Sequence, residues 1–283
     1  MEETGSIIDI TDEEFNAISV LVRENFGINL TEKKRMLVKG RLNKRLHQMG
    51  HTNFQSYYDW IIQDPTGMGL LELVDKISTN HTMFFREAHH FLFLEQEVLP
   101  GIAERMKRTG SRDLRVWCAG CSSGEEAYTI AMVLAENLGA DFFTAGPPIL
   151  ATDISLTVLE TAIAGIYPPD RVEIVSRPLL EKYFETTDDG QYAVKDTLKK
   201  LVTFRRLNLM REHYPFKGRF DFIFCRNVMI YFDQTTKERL VMKMGRVLQD
   251  GGYIFIGHSE TLGRKNTEFA YLQPAVYIKK AGS

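Results

Sequence analysis

The sequence predicts an open α/β sheet of parallel strands that carries a small antiparallel insert and follows an all-helical domain. Three observations carry this fold class. Apolar runs at DLRVWCA (113–119), PILATD (148–153) and FDFIFC (220–225) are each followed by a helical pattern, the alternation of parallel strands joined by crossover helices. Residues 11–63 show the helical period alone. Within 176–207, YFETTDDGQYAV places an Asp-Gly turn between strand-like runs, as an antiparallel hairpin does.

Taken in order, Thr11 and Glu14 form a capping box ahead of Phe15, Ile18 and Val22 at helical spacing. Gly27 stops that helix, Thr31 caps the next, and Asn53 opens a third with Phe54, Tyr57 and Ile61 on one face. DPTGMG (64–69) breaks the pattern and marks a boundary, followed by a connecting helix with Leu70, Leu71, Val74 and Ile77 apolar. The domains expected are therefore an all-helical one over 1–63, a linker with its helix over 64–79, and the α/β domain over 80–283. The insert, a flap at about 176–207, is expected to include VTFRRL as a further strand. GGYIFIG (251–257) and AVYIKK (275–280) read as two last strands.

Bulk properties exclude several classes. The 283 residues are 44% hydrophobic and 25% charged, with net charge −2, so no overall basic field seeks nucleic acid. No apolar run approaches the roughly 18 residues of a membrane span. MEETGSIIDITDEEF is acidic and lacks the basic and apolar regions of a signal peptide. Three cysteines without an export signal point to a reducing cytoplasm.

Two of those cysteines lie in VWCAGCSSGEEAY (116–128). A structural zinc site wants four ligands, but Cys225 stands alone and His89 and His90 are adjacent rather than spaced. A redox pair belongs at a helix N-terminus, whereas Cys118 falls in the strand end. No metal is expected, and both cysteines read as small apolar fillers. The loop itself says more. It sits between the first parallel strand and a helix, at the edge where open α/β sheets bind ligands. Ala119, Gly120, Ser122, Ser123 and Gly124 let a ligand approach the backbone. The pattern is neither a P-loop nor G-x-G-x-x-G. Glu125 and Glu126 suit the start of a helix but would repel a pyrophosphate. A ligand with a cationic end fits better, which disfavours a nicotinamide dinucleotide and favours S-adenosylmethionine.

Asp153 ends the second strand, where it can accept two ribose hydroxyls or cap the following helix; both roles are open. FCRNVMIYFD (224–233) brings Arg226 and Asn227 to the same edge, with Tyr231 just beyond.

With TNHTMFFREAHHF (79–91), ATDIS and GHSE (257–260) added in order, the chain resembles the chemotaxis receptor methyltransferases, the CheR family, over nearly its whole length. The resemblance implies a Rossmann-like S-adenosylmethionine-dependent methyltransferase domain. Its loop departs from many members only in having AGCSSGEE where they carry alanines. By motif, the resemblance puts cofactor contacts on Asn80, Thr82, Arg86, Glu126, Asp153, Asn208, Leu209, Arg226 and Asn227. It implies Arg86 and Tyr231 beside the transferred methyl, and S-adenosylhomocysteine as the by-product. The substrates it implies are glutamates on cytoplasmic signalling helices of methyl-accepting chemotaxis receptors, and in some members the flap tethers a C-terminal receptor tail peptide. A glutamate carboxylate is ionised near pH 7, so positioning and exclusion of water are the enzyme's tasks.

Helix 31–49 is strongly basic, with only Glu32 opposing seven cations, and Lys34, Lys39, Arg41, Lys44 and Arg45 are expected to form the docking face. The chain is expected to act as a monomer without nucleic-acid partners or membrane insertion. Other readings are a methyltransferase acting on RNA or another protein, a nicotinamide oxidoreductase, and a non-enzymatic receptor-binding scaffold.

Overall fold

Helix α1, Asp12–Phe26, starts where the capping box predicts. Thr11 Oγ1 accepts from Glu14 N at 3.2 Å while the Glu14 carboxylate accepts from Thr11 N at 2.8 Å, an arrangement contributing about 1 kcal/mol. Thr31 departs from expectation. It precedes a 3-10 turn, Glu32–Lys34, without a side-chain capping bond, and helix α2 runs from Arg35 to Met49. Helix α3, Phe54–Gln63, is capped by Asn53, whose side chain accepts from Ser56 N at 2.8 Å. Helix α4, Met68–Ile77, packs on α2 and α3.

The break at 64–69 is thus a turn inside a packed helical unit. Asp64 closes it by accepting from Thr66 N and Gly69 N, so its polar residues serve a tight turn instead of a free linker. In this computed structural model, residues 7–139, 143, 146–263 and 266–282 are described; the first part of the acidic N-terminus read above lies outside them. The chain forms two compact units, the first holding the described residues up to Thr79 with Asn208–Met210 and Tyr231–Thr236. Its core includes Phe15, Ile18, Val22, Val38, Leu42, Phe54, Tyr57 and Val74.

The second unit is built on a mixed sheet. In chain order its strands are β1 (Val116–Ala119), β2 (Ile149–Asp153), β3 (Ile166–Tyr167), β4 (Phe184–Thr186), β5 (Tyr192–Val194), β6 (Val202–Arg206), β7 (Phe220–Cys225), β8 (Leu248–Ile256), β9 (Phe269–Gln273) and β10 (Val276–Lys279). The seven-stranded sheet has the order β6-β2-β1-β7-β8-β10-β9. Its first five strands are parallel, while β10 and β9 add an antiparallel edge. All residues of β1 and β7 are buried, as the unbroken apolar runs require of strands covered on both faces. Helices α5 (Leu99–Thr109), α6 (Glu125–Leu138) and α7 (Leu156–Ala164) belong to this unit, as does α8 (Gln234–Val247) from Lys237 onward. No helix among the described residues is long and apolar enough to cross a membrane.

The flap is a separate three-stranded antiparallel sheet, β3-β5-β4. Its hairpin turns at Gly190, in the left-handed region at φ 77°, where the Asp-Gly signal stood. VTFRRL is not part of it. That strand, β6, pairs in parallel with β2 from Ile149↔Val202 to Asp153↔Arg206. Alternating burial marks a strand but cannot name its sheet, and the third flap strand is the two-residue β3, too short to leave a periodic signal.

Candidate functional site

The strand order reverses between β1 and β7, the place where open α/β sheets hold ligands. Gly120 makes the two loops there fit together. At φ 78° it lies in glycine's region, and a Cβ would stand 2.4 Å from Val228 Cγ2. Ser122, also left-handed at φ 49°, donates its N–H to Asp153 Oδ2 at 2.9 Å and its hydroxyl to Asn80 O at 2.9 Å. Asp153 Oδ1 accepts from Ser155 N at 3.0 Å. Ser155 is the cap of α7, accepting from Val158 N. Of the two roles open to Asp153, the cap therefore belongs to Ser155, and Asp153 binds the loops after β1 and β2 together.

The two glutamates diverge. Glu125 is wholly buried between Arg171 Nη1 at 3.0 Å and the Ser123 hydroxyl at 2.7 Å. Glu126 keeps 11% of its side chain exposed, with Oε2 at 2.7 Å from Arg226 Nη1 and Oε1 accepting from the Cys118 thiol at 3.3 Å. Burial pushes the Glu126 carboxyl pKa upward, opposed by Arg226. Burial also drives the thiols of Cys118, Cys121 and Cys225 well above their ordinary range, so thiolate is scarce near neutrality.

Arg226 is completely buried as a side chain and bridges Glu126 to Glu87, whose Oε2 lies 3.1 Å from Nη2. Nη2 also donates to the Arg86 carbonyl, and the guanidinium stands 5.5 Å over the Phe91 ring. Burial acts to raise the Glu87 carboxyl pKa, but Arg226 overrides it and holds the group below its ordinary range. Sequence reasoning missed Glu87. The Arg86 guanidinium donates to His81 O at 2.9 Å. Thr82 is buried, and its carbonyl accepts from Arg171 Nη1 at 2.9 Å.

Asn227, at φ 57°, donates its N–H to Glu260 Oε2 at 3.0 Å. Glu260 also accepts from Gly257 N at 2.6 Å and Ile230 N at 3.1 Å. It fastens the loop after β7 to GHSE, and it too was missed, since a carboxylate serving backbone N–H groups has no spacing to announce it.

Seven expected contacts, Asn80, Thr82, Arg86, Glu126, Asp153, Arg226 and Asn227, lie in the sheet unit. Asn208, Leu209 and Tyr231 belong to the helical unit. There Asn208 Nδ2 donates to Asn25 O at 2.8 Å, and the Tyr231 hydroxyl donates to Thr79 O at 3.3 Å. Lys34 Nζ stands 4.9 Å from the Tyr231 ring centroid.

The expected docking face is largely engaged within its own unit. Arg41 Nη1 donates to Ile77 O at 2.6 Å and Ser78 O at 2.8 Å, Arg45 pairs with Glu72, and Lys39 pairs with Asp9 at 2.8 Å. Of the five, Lys44 is exposed and the other four are half-buried. Long cationic side chains on a helix bury their stems and reach neighbouring carbonyls, which a count of charges does not reveal.

The donor set at the sheet edge fits S-adenosylmethionine. Glu126 and Asp153 are two anionic acceptors near one small-residue loop, both acting on Cys121. Arg226 Nε is buried without a hydrogen-bond partner. Carboxylate and guanidinium together match the ammonium and carboxylate of an amino-acid group.

Residues 80–278 match the family model "CheR methyltransferase, SAM binding domain", and residues 13–78 match "CheR methyltransferase, all-alpha domain". The chain is 47% identical to the chemotaxis protein methyltransferase of Borreliella burgdorferi, covering 96% of each chain. It is 38% identical to a probable chemotaxis protein methyltransferase of Rhizobium etli, covering 85% of this chain and 89% of that one. It is 36% identical to the chemotaxis protein methyltransferase of Escherichia coli, covering 95% and 91%.

Proposed function

The chain belongs to the CheR methyltransferase family, and on that premise we propose that it methylates glutamate carboxylates of methyl-accepting chemotaxis receptors in the cytoplasm. The observation that carries the reading is the Glu126–Arg226–Glu87 bridge beside the Asp153-tied loop. It supplies anionic and cationic partners for an amino-acid end of the cofactor and withholds any phosphate cradle.

S-adenosylmethionine, when bound, supplies an electrophilic methyl on a sulfonium. Asn80, Thr82, Arg86, Glu126, Asp153, Arg226 and Asn227 would hold it, with Glu126 taking the ammonium and Asp153 the ribose hydroxyls. Asn208, Leu209 and Tyr231 carry cofactor and substrate roles by family resemblance. The remaining chemistry is modest. The nucleophile is the substrate's own ionised carboxylate, so no side chain need remove a proton. Arg86 steers that carboxylate by charge, and Tyr231 orients it by hydrogen bond. The product is a neutral ester, so each turnover removes one negative charge from the receptor.

The test is transfer of labelled methyl from S-adenosylmethionine to receptor-bearing membranes and, separately, to RNA. Label appearing on receptor and released by mild alkali is the expected result, because carboxyl esters hydrolyse there and N-methyl groups do not. Label confined to RNA, or stable to alkali, would refute the proposal.

A further inference from the structure

Three imidazoles converge in the sheet unit without having entered the chemistry above. His89 and His90 begin the helical segment after REA, and His258 lies in GHSE, 169 residues after His89. Their ligand-capable nitrogens all fall within 4.8 Å of one another. His258 Nε2 is 2.7 Å from His89 Nε2, and the His89 ring centroid lies 4.1 Å from that of His90 and 4.2 Å from that of His258.

His90 is the unusual member. It is wholly buried, and neither ring nitrogen makes a hydrogen bond of good geometry, although the Pro274 carbonyl faces it. Buried polar atoms are almost always partnered, and an orphan points to a missing water or ion. Glu87 Oε2 stands 3.6 Å from His90 Nδ1. Glu87 is itself held at φ 55°, a backbone state that persists only where surrounding structure enforces it.

We propose that His89, His90 and His258 form a site for a divalent transition metal of the zinc class, with Glu87 as a fourth partner shared with Arg226. Three nitrogen donors and a carboxylate suit a borderline cation. The local charge is permissive, because Glu87 and Glu126 together outweigh Arg226. Metal–nitrogen bonds of about 2.0–2.1 Å put tetrahedral ligand atoms about 3.3 Å apart. To reach that spacing the 2.7 Å His89–His258 contact opens while the nitrogens, now within 4.8 Å of one another, draw together around the ion, and His258 is the exposed member of the three. A bound ion would pin the loop after β8 to the turn that carries Glu87 and to the helix start just behind it.

The experiment uses the full chain without an affinity tag, stripped by chelator and dialysed. Cobalt(II) is titrated while visible absorption is followed, zinc is then competed against a chromophoric chelator, and melting temperature is read with and without zinc. One equivalent should bind, with a cobalt spectrum of low coordination number and a zinc-dependent rise in melting temperature. His258→Gln, at an exposed position, should weaken binding at least about tenfold and abolish the rise. His47→Gln, at an exposed position of the helical unit, should change neither. Failure of the wild-type chain to bind, binding indifferent to His258→Gln, or binding lost in His47→Gln would each overturn the proposal.

Discussion

Arg226 Nη1 lies 2.7 Å from Glu126 Oε2, and a guanidinium with no exposed side-chain surface thereby anchors the carboxylate at the start of α6. The same guanidinium serves Glu87, so two anions share one buried cation. Burial raises the Glu126 carboxyl pKa above its ordinary 4.5 despite Arg226. A carboxyl raised by folding stabilises the native state below its ordinary pKa and loses that contribution as pH climbs through the raised value. The ligand-free protein therefore carries Glu126 at a cost near pH 8. Glu126→Gln should melt higher than wild type without ligand at pH 8, with the gap closing toward pH 5. In calorimetry it should lose roughly 1.5–3 kcal/mol of S-adenosylmethionine affinity, the contribution of a hydrogen bond to a charged group. A variant that melts lower at pH 8 and binds normally would contradict both halves.

Asp153 acts on the loop and, in our proposal, on the ribose. Its two oxygens accept from Ser122 N and Ser155 N, so Asp153→Ala orphans two backbone donors while deleting the ligand acceptor. Asp153→Asn keeps one acceptor and the side-chain volume. We expect affinity to fall by roughly 1–3 kcal/mol in Asp153→Ala, with a smaller loss in Asp153→Asn. Unchanged calorimetric affinity in the folded alanine variant would remove Asp153 from the cofactor site.

What could be read from the sequence was whatever is local. The Thr11–Glu14 box, the Asn53 cap and the buried run FDFIFC each express a backbone rule within a few residues, and each appears in the structure. The family motifs likewise brought the methyltransferase fold and its cofactor into view. What escaped depends on partners far apart in sequence. Glu87 meets Arg226 across 139 positions of chain (226 − 87), and Glu260 serves backbone groups 33 positions earlier at Asn227. VTFRRL was a correct strand in the wrong sheet, because period 2 reports burial on one face and not the neighbour it pairs with.

The basic helix shows the same limit in its energetics. Arg41 caps the end of α4 through the carbonyls of Ile77 and Ser78, so Arg41→Ala should cost roughly 1.5–3 kcal/mol of stability, as loss of charge-assisted bonds does. A lowered melting temperature in that variant checks it. Lys44 is exposed, and Lys44→Glu should leave melting unchanged. If the helix docks an acidic receptor surface, Lys44→Glu should raise the receptor KM, with an effect that shrinks as salt shortens the Debye length from about 30 Å at 0.01 M to about 8 Å at 0.15 M. A KM indifferent to both Lys44→Glu and salt would exclude electrostatic docking through this face.

The last prediction concerns protons. A substrate carboxylate of ordinary pKa about 4.3 is fully ionised above pH 6, so the rate of methyl transfer should be almost flat from pH 6 to 8. The histidines in the matching motifs are His81, His89, His90 and His258. Burial pushes His90 down to about 2, which makes it a feeble base near neutrality, and His89 is lowered in the same way. A base with an ordinary histidine pKa near 6.5 would instead make the rate climb between pH 6 and 7. Arg86 offers charge and needs no proton transfer, so Arg86→Ala should slow the reaction more than His81→Ala or His258→Ala. Single-turnover transfer with saturating S-adenosylmethionine, followed against pH for wild type and these variants, separates the two mechanisms. A steep rise near pH 6.5 that vanishes in one histidine variant would mean that the nucleophile must first be deprotonated. The substrate would then be a group other than a carboxylate.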